Sequence, residues 1–262
     1  MKGIIGAISG DVIGSTREHY RIKSKDFELF VDMSRFTDDT VMTLAIASWL
    51  MIDKDSKDVL ISELKEFGRH YPNAGYGRMF IDWLPSHDPK AYRSWANGSA
   101  MRVSPVAWVS DSLSETQKLA RMSAAVTHDH PEGIKGALAT ADAIFLARTG
   151  SDKEEIKYHI ESEYDYDLSR SLDVIRLTYD FDISCQGSVP ESIICFLEAD
   201  DYEDCIRNAV SLGGDADTQA AIAGSIASAY WDVPEDICDN TLERLDSNLL
   251  EVFEDFQEMY ME

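Results

Sequence analysis

Basic residues are scarce in this chain. Lysine and arginine number 24 against 48 aspartates and glutamates, a formal net charge of −24 over 262 residues. Such a field repels a phosphate backbone at long range, which excludes a broad nucleic-acid-binding surface. It leaves room for a small, locally basic pocket that takes a phosphate ligand. Cysteine is sparse too. Cys185, Cys195, Cys205 and Cys238 form no CxxC pair, and no histidine stands at metal-finger spacing from them. Free thiols of a cytoplasmic protein are the expectation. Apolar runs all fall short of the roughly 18 residues that a membrane span needs. The opening Met1–Ser15 stretch is broken by Gly and Asp too early for a secretory leader. A soluble, cytoplasmic, monomeric protein is expected. Strand-like alternation is missing as well: Phe181-Asp182-Ile183-Ser184-Cys185 comes nearest, but it runs into Gly187 and reads as a loop.

What the chain does have is helical periodicity and, with 44% apolar residues, enough material for a sizeable core. Val41 to Ile52 is apolar nearly all round and predicts a buried helix. Ser56 to His70 is amphipathic through Val59, Leu60, Leu64 and Phe67. Ser114-Glu115-Thr116-Gln117 fits a capping box, and Ser151 with Glu154 repeats it. Pro131 to Arg148 opens with Pro and Glu and carries Ile134, Leu138, Ala141 and Phe145 on one face. Val189 to Leu197, Tyr202 to Val210, Thr218 to Tyr230 and Thr241 to Tyr260 read as further helices. Glu161 to Asp167 reads as a solvated acidic loop. The expected fold is a single all-α domain over residues 1–262.

Two short acidic clusters stand out: Thr37-Asp38-Asp39-Thr40 and Gly213-Gly214-Asp215-Ala216-Asp217-Thr218. Each packs two carboxylates and hydroxyls ahead of a helix-like run. Asp and Thr are common helix caps, but two carboxylates are more than one cap needs. Oxygen ligands of this kind suit hard divalent cations. If the segments meet, four carboxylates balance two such ions.

Near the N-terminus, Gly6 and Gly10 share one helix face. Asp11, Gly14, Ser15 and Glu18 follow, the last in a polar turn able to face a cleft. Two Gly-rich turns, Asn73-Ala74-Gly75-Tyr76-Gly77 and Ser94 to Arg102, precede helices and offer backbone N–H groups to phosphate oxygens. Thr127-His128-Asp129-His130-Pro131 places polar groups at a helix start. A His–Asp phosphohydrolase would also need partners such as His70 and Asp142. In Cys185 to Glu191, Ser188 is expected to cap the next helix, and no paired base marks it as a nucleophile. His19, His70, His87 and His159 are expected on the surface or in structural roles.

Taken together and in order, these motifs resemble the ADP-ribosylglycohydrolase family, whose relatives include the dinitrogenase reductase-activating glycohydrolases. The resemblance runs through GDVIGSTRE at 10–18, FTDDTVMTLA at 36–45, NGSAMRVSP at 97–105, THDHP at 127–131 and LGGDADTQAAIAG at 212–224. It implies a compact all-α fold with two divalent cations, Mg2+ or Mn2+, at the base of a cleft. Thr37, Asp38, Asp39, Asp215, Asp217 and Thr218 are the implied metal ligands. Gly75, Gly77, Ser94, Trp95, Asn97, Gly98 and Ser99 fall on loops that hold the diphosphate and nearby ribose in relatives, and Trp95 replaces an aromatic of another type. His128 is an implied pocket residue.

The implied activity is removal of ADP-ribose from a protein side chain by cleavage at C1″ of the distal ribose. Glu18, Asp38 and Asp217 are the implied catalytic carboxylates. Glu18 matches a glutamate of members that cleave serine-linked ADP-ribose. Arginine-directed bacterial members can lack it, which shifts the expected linkage toward serine. A small conjugate such as O-acetyl-ADP-ribose is the alternative substrate. A non-catalytic ADP-ribose-binding protein is the alternative class, which the complete acidic set argues against.

Overall fold

A computed structural model describes residues 1–261. Among them the backbone forms fifteen α-helices and no strand, with one isolated bridge between Ala96 and Ser184. The helices are α1 (Ile5–Gly14), α2 (Asp38–Asp53), α3 (Lys57–His70), α4 (Arg78–Trp83), α5 (Gly98–Met101), α6 (Ser104–Val109), α7 (Leu113–Ala125) and α8 (Pro131–Arg148). They continue as α9 (Lys153–Tyr164), α10 (Leu172–Thr178), α11 (Cys185–Leu197), α12 (Tyr202–Val210), α13 (Ala216–Tyr230), α14 (Glu235–Leu242) and α15 (Ser247–Tyr260). No described helix is long and apolar enough to cross a membrane.

The most extensive helix pair is α1 against α13. Gly6 abuts Gly224 and Ser228, Gly10 abuts Ala220 and Gly14 abuts Ala216, so the two helices run antiparallel. Small residues every fourth position on both helices let the backbones touch. A Cβ at Gly14 would stand 2.5 Å from the Ala216 carbonyl oxygen, and one at Gly10 would collide with the Ala220 carbonyl. Ser228 Oγ on α13 donates to the Gly3 carbonyl just ahead of α1 at 3.0 Å, and Tyr202 Oη ties α12 to the same helix through the Gly6 carbonyl at 2.9 Å. Helices α2, α8, α11 and α12 pack round this spine with their apolar faces fully buried.

Several helix boundaries differ from the sequence expectation, each for a local reason. The α7 cap is Ser112, whose Oγ accepts from Glu115 N at 3.2 Å while Glu115 reaches back to Asp111 N at 3.0 Å. That register turns Leu113 toward the core. Ser151 does not cap α9, because its N–H still closes α8 on the Leu146 carbonyl at 3.0 Å. The capping box is formed by Asp152 and Glu155 instead. Ser184, not Ser188, caps α11 through Gly187 N at 3.0 Å. Pro190 therefore lies inside that helix, and the carbonyl it leaves unbonded belongs to the exposed Gln186. The expected helix Thr241–Tyr260 is two helices, broken where Asp246 caps α15. Glu161 to Asp167 is not a solvated loop: α9 runs to Tyr164, with Ile156, Ile160 and Tyr164 buried along one stripe.

Substitution Gly10→Ala should lower stability by roughly 2 kcal/mol or more, despite alanine's better helix propensity. Gly77→Ala is the control, since φ there is −60° and an added Cβ meets nothing within 4 Å. It is expected to stay within about 0.5 kcal/mol of wild type. Urea unfolding of the two variants checks both values.

Candidate active site

The spine sets the site. Antiparallel packing brings the C-terminal turn of α1 beside the N-terminus of α13, and Asp11 on α1 then gathers the start of α2. Its carboxylate accepts from Thr37 N at 2.8 Å, Thr37 Oγ1 at 2.7 Å and Thr40 N at 3.0 Å, and also from Thr40 Oγ1. Two helix N-termini, of α2 and α13, thus converge on one place, where their partial positive charge favours carboxylates. The αL conformation of Gly213, φ 65°, turns the chain into α13.

The two acidic clusters meet there. Thr218 Oγ1 donates to Asp39 Oδ2 at 3.3 Å across 179 residues of chain. Carboxylate oxygens of Asp11, Asp39 and Asp217 lie within 4.8 Å of one another. Asp215 Oδ2 accepts from Asn97 Nδ2 at 2.7 Å. Asp39, Asp215 and Asp217 are buried, while Asp38 stays partly open to the cleft. Asp11, though close enough to join a metal site, has its oxygens engaged by four donors. It is better suited to organising the ligands than to being one. In the sequence Asp11 is marked only by its place between Gly10 and Gly14. The signal was a carboxylate set directly after Gly10 on an otherwise apolar helix.

Burial and crowding of like charge leave these groups short of a cation. Burial, then Asp11, with Asp215 and Glu18 adding, pushes the Asp38 carboxyl up to about 8. Burial raises Asp215 to about 6 against the pull of the Asn97 hydrogen bond. Asp39 and Asp217 sit well above the ordinary carboxylate range, again through burial first and neighbouring carboxylates second. Asp39 Oδ1 is buried with no hydrogen-bond partner. An all-oxygen donor set with an orphaned lone pair fits a hard divalent cation.

Above the carboxylates opens a cleft of about 860 Å³, in the range of small-molecule sites. Glu18, Gly75, Gly77, Ser94, Asn97, Gly98 and His128 line it together with the acidic set, and Arg102 and Tyr92 join them. Gly75, at φ 125°, brings its loop against the floor: a Cβ there would stand 2.9 Å from Asp38 Oδ1, and the Ala74 carbonyl accepts from Asp38 N at 3.1 Å. Glu18 is about a third exposed, its Oε2 3.2 Å from His19 Nδ1. Two expected residues lie outside the lining. Trp95 is 45% exposed, and Ser99 is fully buried, donating to the Gly133 carbonyl at 2.7 Å. His70 and Asp142 do not join His128 and Asp129. His70 contacts Asn248, and Asp142 is buried with Gln117, His159 and Tyr164.

The ADP-ribosylglycohydrolase family model matches residues 1–260. Human ADP-ribosylhydrolase ARH3 is 29% identical over 76% of this chain and 72% of its own length. ADP-ribosylarginine hydrolase Tri1 of Pseudomonas putida is 26% identical over 88% of this chain and 70% of its own. A solved ADP-ribosylglycohydrolase-related protein complex shares the fold, with a TM-score of 0.72 over 98% of each chain at 22% identity. The chain belongs to the ADP-ribosylglycohydrolase family, whose members are hydrolases acting on a glycosidic bond.

Stability of the metal-free protein should fall with rising pH. The folded state holds protons on Asp215 and Asp38 that an unfolded chain releases near pH 4. Their stabilisation is complete below that value and lost as pH passes about 6 and then about 8. Melting temperatures in EDTA across this window should decline, and Asp38→Asn should flatten the upper part. A melting temperature that rises throughout would contradict the buried cluster.

Proposed function

We propose that this chain is a metal-dependent hydrolase that frees ADP-ribose from a serine or arginine side chain by cleaving the bond at C1″ of the distal ribose. One observation carries the reading: Thr37-Asp38-Asp39 and Asp215-Ala216-Asp217-Thr218 converge at the floor of a cleft large enough for a dinucleotide-sized ligand. The similarity to ARH3 and Tri1 supports the ADP-ribosyl substrate class, and the name of Tri1 specifies the arginine linkage. Glu18 favours serine through its match to serine-directed members.

Thr37, Asp38, Asp39, Asp215, Asp217 and Thr218 are the proposed holders of two divalent cations, Mg2+ or Mn2+. When bound, such ions would polarise ribose hydroxyls and the hydrolytic water. The chain supplies the rest. Glu18, in the lining and open to solvent, can give a proton to the leaving atom, oxygen for serine or nitrogen for arginine, or take one from water. Asp38 faces the same space. Asp11 keeps the α2 carboxylates in place, and Asn97 does so for Asp215. Gly75 and Gly77 on one wall, with Ser94, Asn97 and Gly98 on the other, would border the diphosphate and ribose, and the lack of side chains at the glycines permits close approach of backbone.

The test is release of ADP-ribose from serine-linked and arginine-linked peptides in Mg2+, Mn2+ or EDTA. Release is expected only with metal, and Asp217→Ala should lose metal and turnover together. Glu18→Gln should keep bound metal and lose about a hundredfold or more in turnover. Undiminished turnover in Glu18→Gln would remove it from the mechanism. No release by wild type, with ADP-ribose still bound, would overturn the hydrolase.

A further inference from the structure

The wall of the cleft contains a buried cation with no anion beside it. Arg102, at the end of α5, is 1% exposed and makes no ion pair among the described residues. Its Nη2 donates to the Ser123 carbonyl and to Thr127 Oγ1, both at 2.8 Å, and its Nε is buried without a partner. Burying an unpaired guanidinium is costly. The hydrogen bonds show what its position achieves. Thr127 Oγ1 lies 2.8 Å from His128 Nδ1, so arginine, threonine and histidine form a chain that ends in the cleft.

The direction of this chain starts from its first link. A guanidinium only donates, so Thr127 Oγ1 must accept from Arg102. The hydroxyl keeps one proton, and His128 Nδ1 is its hydrogen-bonded neighbour. An Nδ1 that accepts this proton carries none of its own, and in a neutral imidazole the proton then resides on Nε2. Were Nδ1 to donate instead, the hydroxyl would accept twice and its proton would be left to the neighbouring Tyr92 phenol oxygen, a poorer acceptor than an imidazole nitrogen. A doubly protonated ring is disfavoured as well, because burial and the Arg102 charge hold His128 well below its usual range.

The other edge of the ring is free. Nε2 has no partner among the described residues and lies beside Gly98, where an added Cβ would stand only 3.1 Å away. Both residues border the cleft. Gly133 also packs closely on His128: a Cβ there would stand 3.0 Å from His128 Cβ and 2.9 Å from its carbonyl oxygen.

We propose that Arg102 and Thr127 are positioning residues that fix His128 as its Nε2–H tautomer, so that one aimed donor meets an acceptor oxygen of the bound ligand. The ligand's identity as ADP-ribose rests on the function proposed above; the tautomer does not.

The two are tested separately. In protein carrying 15N-labelled histidine, without ligand, long-range 1H–15N correlations assigned with His128→Gln should show an unprotonated Nδ1 and a protonated Nε2 at neutral pH. Thr127→Val should abolish that single tautomer, and Thr127→Ser should restore it. Loss of the aimed donor should weaken ADP-ribose binding in Thr127→Val about threefold to tenfold. A wild-type ring protonated on Nδ1, or ring signals unmoved by Thr127→Val, would overturn the proposal. Wild-type protein that binds no ADP-ribose would instead count against the functional reading, and the ring spectrum would still decide the relay.

Discussion

Backbone contact between α1 and α13 is the constraint on which the rest of the structure depends. It requires small residues at Gly6, Gly10 and Gly14 on one helix and at Ala216, Ala220, Gly224 and Ser228 on the other. The stripe does more than permit packing. With the helices touching, Asp11 and the turn into α13 have little freedom to separate. The carboxylates of Asp39 and Asp217 are brought together by main chain rather than by flexible side chains. A site held this way keeps its geometry when its charges change, which is what a cluster of like charges demands.

The electrostatic cost of that cluster is visible in the fold. Buried carboxylates repel one another and lose hydration, and no arginine or lysine of this chain forms an ion pair with Asp39, Asp215 or Asp217 among the described residues. Three devices offset the cost. Helix N-termini present backbone dipoles to the acids. Asp11 is engaged by two backbone and two hydroxyl donors, which pull its carboxyl down against the larger rise from burial and make it a clamp on α2. Protonation of the others covers what remains, at the expense of a stability that depends on pH. Cations bound to the folded state would supply the missing charge and stabilise it by mass action.

Much of this was legible in the sequence, and the limits have physical causes. Helix α8 over Pro131–Arg148 and helix α12 over Tyr202–Val210 follow the expected bounds, because capping and periodicity agree there. The acidic pairs were legible because two adjacent carboxylates exceed what a cap requires. Caps at Ser112, Asp152 and Ser184 were misplaced because Ser, Thr, Asp and Glu cluster near each helix start, so several registers satisfy the same pattern. The charge of Glu161 to Asp167 hid an inward stripe ending in Tyr164, since acidic residues between buried ones cost a helix nothing. Arg102 closes the second Gly-rich turn, where nothing in the sequence marks it as a partner of Thr127. Its engagement with Ser123 and Thr127 depends on α7 lying across α5, and no spacing in the sequence reports that.

The cleft is therefore electrically divided. Its floor is acidic and short of positive charge, while its wall holds a cation whose nearest outlet is a histidine edge. Asn97 joins the two: its amide donates to Asp215, and its neighbour Gly98 seats the His128 ring. A ligand with hydroxyls at one end and an anionic group a few bonds away matches both halves, whereas a uniformly cationic or uniformly anionic ligand opposes one of them. Placing the floor and the wall on one rigid connection, from Asn97 to Gly98, fixes the separation at which the two halves can be satisfied together.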